Sequence, residues 1–152
     1  GGMIERIQRF CKATNQTIPT TPGELAQTVF ASLALQYTKT CDDLAQCSKL
    51  EMPAIHIVGG GSQNQHLCQL TADISGKEVI AGPVEATAMG NAMVQAIALG
   101  KDSNLKDAKS ARALISRSDL GVRSFKPTQG QDQNTIAQIR ARYQKLTLED
   151  MR

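Results

Sequence analysis

The stretch Ala54-Ile55-His56-Ile57-Val58-Gly59-Gly60-Gly61-Ser62-Gln63-Asn64 decides the fold. In it, a short β-branched run ends in three consecutive glycines, and a helical pattern begins directly afterwards. Glycines let a backbone approach a ligand closely, and the start of a helix presents unpaired N–H groups with a partial positive charge. The stretch therefore predicts a strand, a glycine turn and a helix that together bind the phosphate groups of a nucleotide.

The composition is that of a globular chain with an aliphatic core. The 152 residues suffice for one domain or part of one, and 41% of them are hydrophobic. There are only three Phe, two Tyr and no Trp, so aliphatic side chains must build the core. The formal net charge of +3 is modest, and basic residues alternate with acidic and apolar ones, as on solvated helix faces. This pattern predicts no nucleic-acid partner.

The sequence also predicts no membrane partner and no disulfide framework. No segment resembles a signal peptide, and no apolar run approaches the roughly 20 residues that a membrane span needs. The four cysteines include no Cys-x-x-Cys pair, so a zinc site is not predicted. A chain of this size and apolar content does not need disulfides, and free thiols are typical of the reducing cytoplasm. We therefore expect a cytoplasmic protein.

Helical periodicity covers most of the remaining chain. Helices are predicted over residues 3–12, 22–47, 64–75, 85–99, 104–116 and 132–146, strands over 54–58 and 77–81, and an extended segment over 122–127. Thr21 and Glu24 have the spacing of a capping box at the start of the second helix. Asn64 is the predicted N-cap of the helix after the glycines, and Gly76 its C-terminal stop.

The fold class that follows is α/β, helix-rich, with a short parallel strand pair at 54–58 and 77–81. The order strand, helix, strand, helix between residues 54 and 99 predicts parallel strands joined by a right-handed crossover. Two strands are too few for a stable sheet. Either further strands lie in segments interpreted as loops, or the rest of the sheet lies outside this chain, and we favour the second. Such a partial sheet would expose an unpaired edge that invites dimerisation.

Local patterns also predict how individual residues pack. The first strand is apolar on both faces, which is typical of a central, covered strand, and places His56 in a buried position. The helix over 22–47 has a wide apolar stripe, so Cys41 and Cys47 are interpreted as core residues. Gly90 in the middle of a helix costs about 1 kcal/mol relative to alanine, which close packing against a neighbour would explain.

Two common phosphate-binding turns do not fit the glycines. A P-loop requires a lysine after its last glycine, and none follows Gly61. A dinucleotide-binding turn needs a third glycine, but Asn64 stands at that position. It also needs an acidic residue at the end of the next strand, and none is present there, because the strand ends at Ala81 and is followed by Gly82 and Pro83. A small dinucleotide-binding oxidoreductase domain is therefore disfavoured.

The third architecture with such a turn is the actin-like ATPase (ribonuclease H-like) fold of sugar kinases. Residues 55–64, 70–73, Gly76 and 79–91 together resemble the carboxy-terminal domain of the FGGY carbohydrate kinases. Within that family the chain is most similar to the rhamnulokinase-like members, above all over Ile80-Ala81-Gly82-Pro83-Val84-Glu85-Ala86. The resemblance extends from residue 3 to about residue 127.

This resemblance implies ATP-dependent phosphorylation of a ketose, L-rhamnulose, at its terminal hydroxyl, with Mg²⁺. It also implies that Gly59, Gly60 and Gly61 face the phosphates and adenosine of ATP or ADP, with Gly60 the strongest contact. Asn64 matches a family position near the nucleotide, although plain helix capping is an alternative role for it. We interpret Glu85 as an acidic residue that favours a helix start, rather than as a catalytic group.

The resemblance further implies that residues 3–152 are a carboxy-terminal nucleotide-binding domain, truncated on its amino-terminal side. Gly1 and Gly2, which precede Met3, are interpreted as a cloning remnant. In the family, a separate amino-terminal domain supplies the sugar pocket and the aspartate that acts as general base. No catalytic residue and no metal ligand is therefore predicted here, and we expect the chain alone to be inactive. The alternative is a non-enzymatic binding or scaffold module of the same fold.

Overall fold

The computed structural model describes residues 2–102, 104–117 and 121–149. Gly1, part of the predicted cloning remnant, lies outside the described residues. So do residues 150–152, the end of the predicted domain. The elements in chain order are α1 (Met3–Ala13), α2 (Pro22–Ser48), β1 (Ala54–Ile57), α3 (Gln65–Ser75), β2 (Glu78–Ala81), α4 (Ala86–Leu99), α5 (Ala108–Arg117), β3 (Arg123–Phe125) and α6 (Gln133–Glu149). A 3₁₀ helix, Gly59–Gln63, follows β1 and is called the glycine turn below.

The three strands form one small mixed sheet in the order β1-β2-β3. β1 and β2 are parallel, with Ala54 opposite Glu78 and Ile57 opposite Ala81, as the strand–helix–strand pattern predicts. β3 lies in the extended segment 122–127 and pairs antiparallel with β2, so that Arg123 stands opposite Ala81. The expectation that this chain holds only two strands was therefore wrong, and the described fold is helix-rich α/β with a mixed sheet.

Helix α3 lies between the sheet and α2, and it supplies side chains to both parts of the core. Towards the sheet, the buried cluster consists of Ile57, Cys68, Ala72, Val79 and Ala81. Towards α2, the buried cluster consists of Ala34, Leu67 and Ile74, with Tyr37 partly buried against both clusters. The layers are thus sheet, α3 and α2, and this arrangement holds the start of α3 rigidly beside the ends of the strands.

The prediction that β1 is a covered central strand was wrong. Among the described residues, β2 is its only neighbour in the sheet, so β1 is an edge strand. Ile57 faces α3 and is buried, whereas His56 points to the other face and is exposed. Val58, directly after the strand, is 53% exposed. An apolar run of four or five residues cannot by itself distinguish a strand covered on both faces from one covered on a single face.

Several helical packing expectations were also wrong. None of the residues of α4 is buried, and a Cβ built on Gly90 would meet nothing within 4 Å, so close packing does not explain this glycine. Cys47 is exposed rather than in the core, and Cys41 is half-buried. On α2 the buried positions are Ala34 and Thr38, and Ala34 packs against Leu67 and Ile74 of α3.

The predicted start of α2 is confirmed in detail. The hydroxyl of Thr21 accepts a hydrogen bond from the Glu24 amide at 3.2 Å, and the Glu24 carboxylate accepts one from the Thr21 amide at 3.0 Å. The same carboxylate accepts hydrogen bonds from the amide and hydroxyl of Thr20, at 2.7 and 3.0 Å. By contrast, α5 starts at Ala108 instead of residue 104, because Asp107 caps it by accepting from the Ser110 amide at 2.7 Å.

The capping box makes stability depend on pH in a predictable direction. Hydrogen bonds from the Thr20 and Thr21 amides lower the pKa of Glu24 from 4.5 to about 2. Because the pKa is lower in the folded state, the stabilisation is complete above about pH 4.5 and is lost as the pH falls towards 2. We expect the free energy of unfolding, measured with urea, to fall less steeply over this range in Glu24→Gln than in the original chain. Parallel pH profiles would contradict this expectation.

No helix that the structure describes is long and apolar enough to cross a membrane. The four cysteines are free, as the sequence predicts: Cys11 and Cys68 are buried.

Candidate phosphate-binding site

The three predicted glycines open a tight 3₁₀ helix directly after β1. Gly59 has a φ of 74°, a left-handed conformation that turns the chain away from the strand. The hydroxyl of the buried Ser62 donates a hydrogen bond to the Gly59 carbonyl at 2.7 Å, and the Asn64 amide donates one to the Gly61 carbonyl at 3.2 Å. The glycine turn is therefore closed by hydrogen bonds between its own residues and Asn64.

The glycine turn is also attached to the segment that follows β2. The Gly59 amide donates to the Pro83 carbonyl at 3.3 Å, and the Gly82 amide donates to the Ile57 carbonyl at 2.8 Å. Both segments leave the carboxyl ends of parallel strands, which is the edge where open α/β sheets bind their ligands. The candidate site thus lies at the edge of the sheet where such folds bind ligands.

Only one of the three glycines is required by the backbone. Gly59 has a positive φ, whereas the φ of Gly60 and of Gly61 lies outside that region. A Cβ built on Gly60 would meet nothing within 4 Å, and one on Gly61 would make an ordinary contact with Ile57 at 3.6 Å. The fold therefore tolerates a side chain at Gly60, and its lack of one leaves open space at the surface of the glycine turn.

Asn64 takes the capping role that the sequence predicts. Its side-chain oxygen accepts a hydrogen bond from the Leu67 amide at 3.0 Å, and its carbonyl accepts from the Cys68 amide at 3.0 Å. The side-chain nitrogen of Asn64 makes no hydrogen bond with the residues that the structure describes. Capping and contact with a ligand are therefore compatible in this residue, since they use different atoms.

The structure adds a cationic residue that the sequence analysis did not single out. Arg123, the first residue of β3, donates from Nη2 to the Ser62 carbonyl at 3.2 Å. It is paired with Ala81 across the sheet, and Ala81 is paired with Ile57, so all three stand in one row at the carboxyl ends of β1 and β2. The sequence signal for Arg123 was only an arginine in an extended segment, and its position depends on the strand pairing.

Cys68 forms the floor beneath the glycine turn. Its thiol is fully buried, and its sulfur lies 3.9 Å from the carbonyl oxygens of both Gly61 and Ser62. Burial raises the pKa of this thiol, while the nearby positive charge of Arg123 opposes the rise. Cys68 is therefore a neutral packing residue at neutral pH, as the sequence indicates for the buried cysteines.

Comparison with known proteins assigns the chain to a family. Residues 2–99 match the model of the C-terminal domain of the FGGY family of carbohydrate kinases. The chain belongs to this family. The glycine turn, α3, β2 and α4 all lie within the matched residues, whereas β3 and Arg123 lie beyond them.

Relatives of this FGGY domain include several rhamnulokinases. The chain is 43% identical over 136 residues to the rhamnulokinase of Bacillus subtilis (strain 168), covering 90% of the chain and 27% of that protein. It is 46% identical over 120 residues to the rhamnulokinase of Enterococcus faecalis (strain ATCC 700802 / V583), covering 78% of the chain and 24% of that protein. The chain thus spans about a quarter of the length of the curated relatives it matches.

Asp73 fixes the segment that follows β3 in the FGGY domain to the last turn of α3. Its carboxylate accepts hydrogen bonds from the Thr128 amide at 2.8 Å and from the Gln69 side chain at 2.9 Å. Partial burial alone would raise the pKa of Asp73, but these hydrogen bonds outweigh it and lower the pKa. Gln69 also donates to the Lys126 carbonyl at 2.9 Å. Asp73 is therefore a structural residue that holds β3, and with it Arg123, in place.

The described part of the FGGY domain offers no metal site. Within it, no three His, Cys, Asp or Glu side chains are placed to hold a metal ion. Glu85, at the start of α4, is exposed and makes no side-chain capping hydrogen bond, so its expected interaction with the helix is at most electrostatic. The Mg²⁺ that the resemblance implies is therefore not held by a cluster of three such side chains within the described residues.

Proposed function

We propose that this chain is the nucleotide-binding half of an ATP-dependent carbohydrate kinase that phosphorylates a ketose, L-rhamnulose, at its terminal hydroxyl. Membership of the FGGY family and the similarity to rhamnulokinases support the reaction and the substrate. The observation that carries the nucleotide assignment is the geometry of Gly60. Neither the backbone conformation nor packing requires a glycine at this position, and, unlike Gly23 and Gly90, Gly60 lies in the turn at the carboxyl ends of parallel strands, where a ligand can approach the backbone.

The glycine turn has the chemistry that a phosphate needs. The first amides of a 3₁₀ or α-helix have no acceptor within the helix. The Gly59 amide donates to Pro83, whereas no backbone acceptor outside the helix pairs with the Gly60 amide among the described residues. The N-terminus of α3 follows directly and adds a partial positive charge that favours an anion. In this proposal Gly60 donates to a phosphate oxygen, and Gly59, Gly61 and Asn64 line the same site.

In this proposal, the chain does not supply all the groups that the phosphorylation reaction requires. Phosphoryl transfer depends on a positioned base, on Mg²⁺ and on a bound sugar hydroxyl. In this proposal the base and the sugar pocket belong to the amino-terminal domain of the parent enzyme, and the small sheet is part of an actin-like ATPase (ribonuclease H-like) domain. The 152-residue chain alone is therefore inactive. Measurable ATP-dependent phosphorylation of L-rhamnulose by this chain would contradict the assignment of the base and the sugar pocket to another domain.

Titration with ADP followed by NMR tests the nucleotide assignment. The backbone amides of residues 59–64 are expected to shift as ADP is added, because the ligand sits against the glycine turn. The amides of Gly76 and Gly100, which end α3 and α4, serve as internal controls and should not shift. Shifts spread over the chain without a maximum at residues 59–64, or none at saturating ADP, would contradict the assignment.

Two further expectations belong to the same proposal. A kinase that uses metabolic ATP works in the cytoplasm, which agrees with free cysteines in the chain.

The outer edge of β1 has no partner strand among the described residues, so it is the place where the isolated chain would dimerise. Sedimentation equilibrium of the chain measures this directly, and a monomer at all concentrations would contradict dimerisation.

A further inference from the structure

Arg123 occupies a position that the sheet register defines. Residues opposite one another in a sheet project to the same face, and Arg123 shares its row with Ile57 and Ala81. Both of those side chains pack against α3. The Arg123 side chain therefore extends over the same face as α3, at the carboxyl ends of β1 and β2, where the glycine turn begins.

The guanidinium of Arg123 lies at the glycine turn itself. Nη2 is 3.2 Å from the carbonyl oxygen of Ser62, the residue directly after the third glycine. This hydrogen bond uses only part of the guanidinium, which carries several N–H donors in a planar fork. No carboxylate forms an ion pair with Arg123 among the residues that the structure describes. A full positive charge thus stands beside the site without a negative partner from the described chain.

The segment that carries Arg123 is held on both sides of it. Gly82 packs against the backbone of Gly121 and Val122, and the Ser124 hydroxyl donates to the Glu78 carboxylate. The Thr128 amide donates to Asp73, as described above. The backbone of Arg123 is therefore held by contacts on both sides of it, and the hydrogen bond to the Ser62 carbonyl orients its side chain.

We propose that Arg123 binds a phosphate group of the nucleotide held at the glycine turn. The inference rests on the proposed function and adds a residue to that site from outside the segment that matches the family model. A guanidinium recognises phosphate through charge-assisted, paired hydrogen bonds, which is the interaction its remaining N–H groups can make. The ligand class is a nucleoside diphosphate or triphosphate, and the adenosine part does not contribute to this contact.

Binding of ADP and of adenosine to variants of the full 152-residue chain tests the inference. Arg123→Met removes the charge with little loss of side-chain length, and it is expected to weaken ADP binding about tenfold or more, in line with a hydrogen bond to a charged group. Adenosine affinity should stay within about twofold, because adenosine has no phosphate. Arg123→Lys keeps the charge without the planar fork, so its loss for ADP should be smaller than that of Arg123→Met.

Lys126→Met is the matched control, since it removes one exposed positive charge from the same segment, next to the middle of α3. It should leave the ADP affinity unchanged. Equal weakening of ADP and adenosine by Arg123→Met would overturn the inference, because Arg123 would then only fasten the glycine turn through Ser62. No weakening of either ligand, or equal losses in Lys126→Met, would also overturn it.

The failure of the proposed function has a separate signature. If the original chain binds neither ADP nor adenosine, the nucleotide assignment fails, and the inference about Arg123 falls with it. If the original chain binds both and the variants discriminate as above, both proposals stand. Thermal unfolding of each variant identifies loss of folding; if Arg123→Met unfolds, the comparison of Arg123→Lys with the original chain decides the matter.

Discussion

Replacing Gly60 with alanine is expected to weaken ADP binding at least about tenfold while leaving the chain as stable as before, or slightly more so. The added methyl group would meet no atom of the protein within 4 Å, and the φ of Gly60 suits an alanine. Replacing a glycine with alanine at a position whose backbone conformation suits alanine reduces the conformational entropy of the unfolded chain. This stabilises a protein by about 0.4–1 kcal/mol. The methyl group would instead stand where the proposed phosphate approaches the backbone.

The effect should be larger on catalysis in the complete parent enzyme. A displacement of about 1 Å in a reacting group can lower a rate about a hundredfold, so kcat/KM is expected to fall by about that factor in Gly60→Ala. ADP affinity is measured by calorimetry, and stability by urea unfolding of the 152-residue chain.

Gly23→Ala is the matched control for this substitution. Gly23 lies at the start of α2, and a Cβ there would also meet nothing within 4 Å. Alanine at this position should bring the same small gain in stability without any change in ADP affinity. Equal ADP affinity of the Gly60→Ala chain and the original chain would contradict the proposed site. A large loss of stability in Gly60→Ala would instead show that the glycine serves the fold.

Replacing Gly82 with alanine is expected to lower the free energy of unfolding by about 2–4 kcal/mol. Gly82 has a φ of 113°, which L side chains rarely adopt. A Cβ there would stand 3.3 Å from both the Gly121 carbonyl oxygen and the Val122 Cα, and neither backbone atom can rotate out of the way. The crowding would push the chain before β3 away from β2, so Arg123 would move as well.

Gly100→Ala separates the two causes of this loss. Gly100 ends α4 with a φ of 60°, but a Cβ there would meet nothing within 4 Å. It therefore experiences only backbone strain, for which about 1–2 kcal/mol is expected. Urea unfolding of both variants measures the difference. If Gly82→Ala costs no more than Gly100→Ala, the close approach of Gly82 to the chain before β3 does not contribute to stability.

The features that could be predicted from the sequence all depend on neighbours along the chain. The capping box of Thr21 and Glu24, the cap at Asn64 and the stop at Gly76 use hydrogen bonds that span four residues or fewer. The parallel pairing of β1 with β2 follows from the helix between them, because a crossover of that length returns the chain in the same direction. The residues proposed for the candidate site, Gly59, Gly60, Gly61 and Asn64, likewise lie close together along the chain.

What the sequence alone determined about this protein is therefore the glycine turn, its flanking strand and helix, and the family to which they belong. Only the tertiary structure decided that β3 joins the sheet, that His56 is exposed at an edge, and that Arg123 reaches the carbonyl of Ser62. Arg123 and Ser62 lie 61 residues apart in the chain. Contacts over such separations depend on strand register and on which face a helix covers, and no local pattern of residue types specifies either.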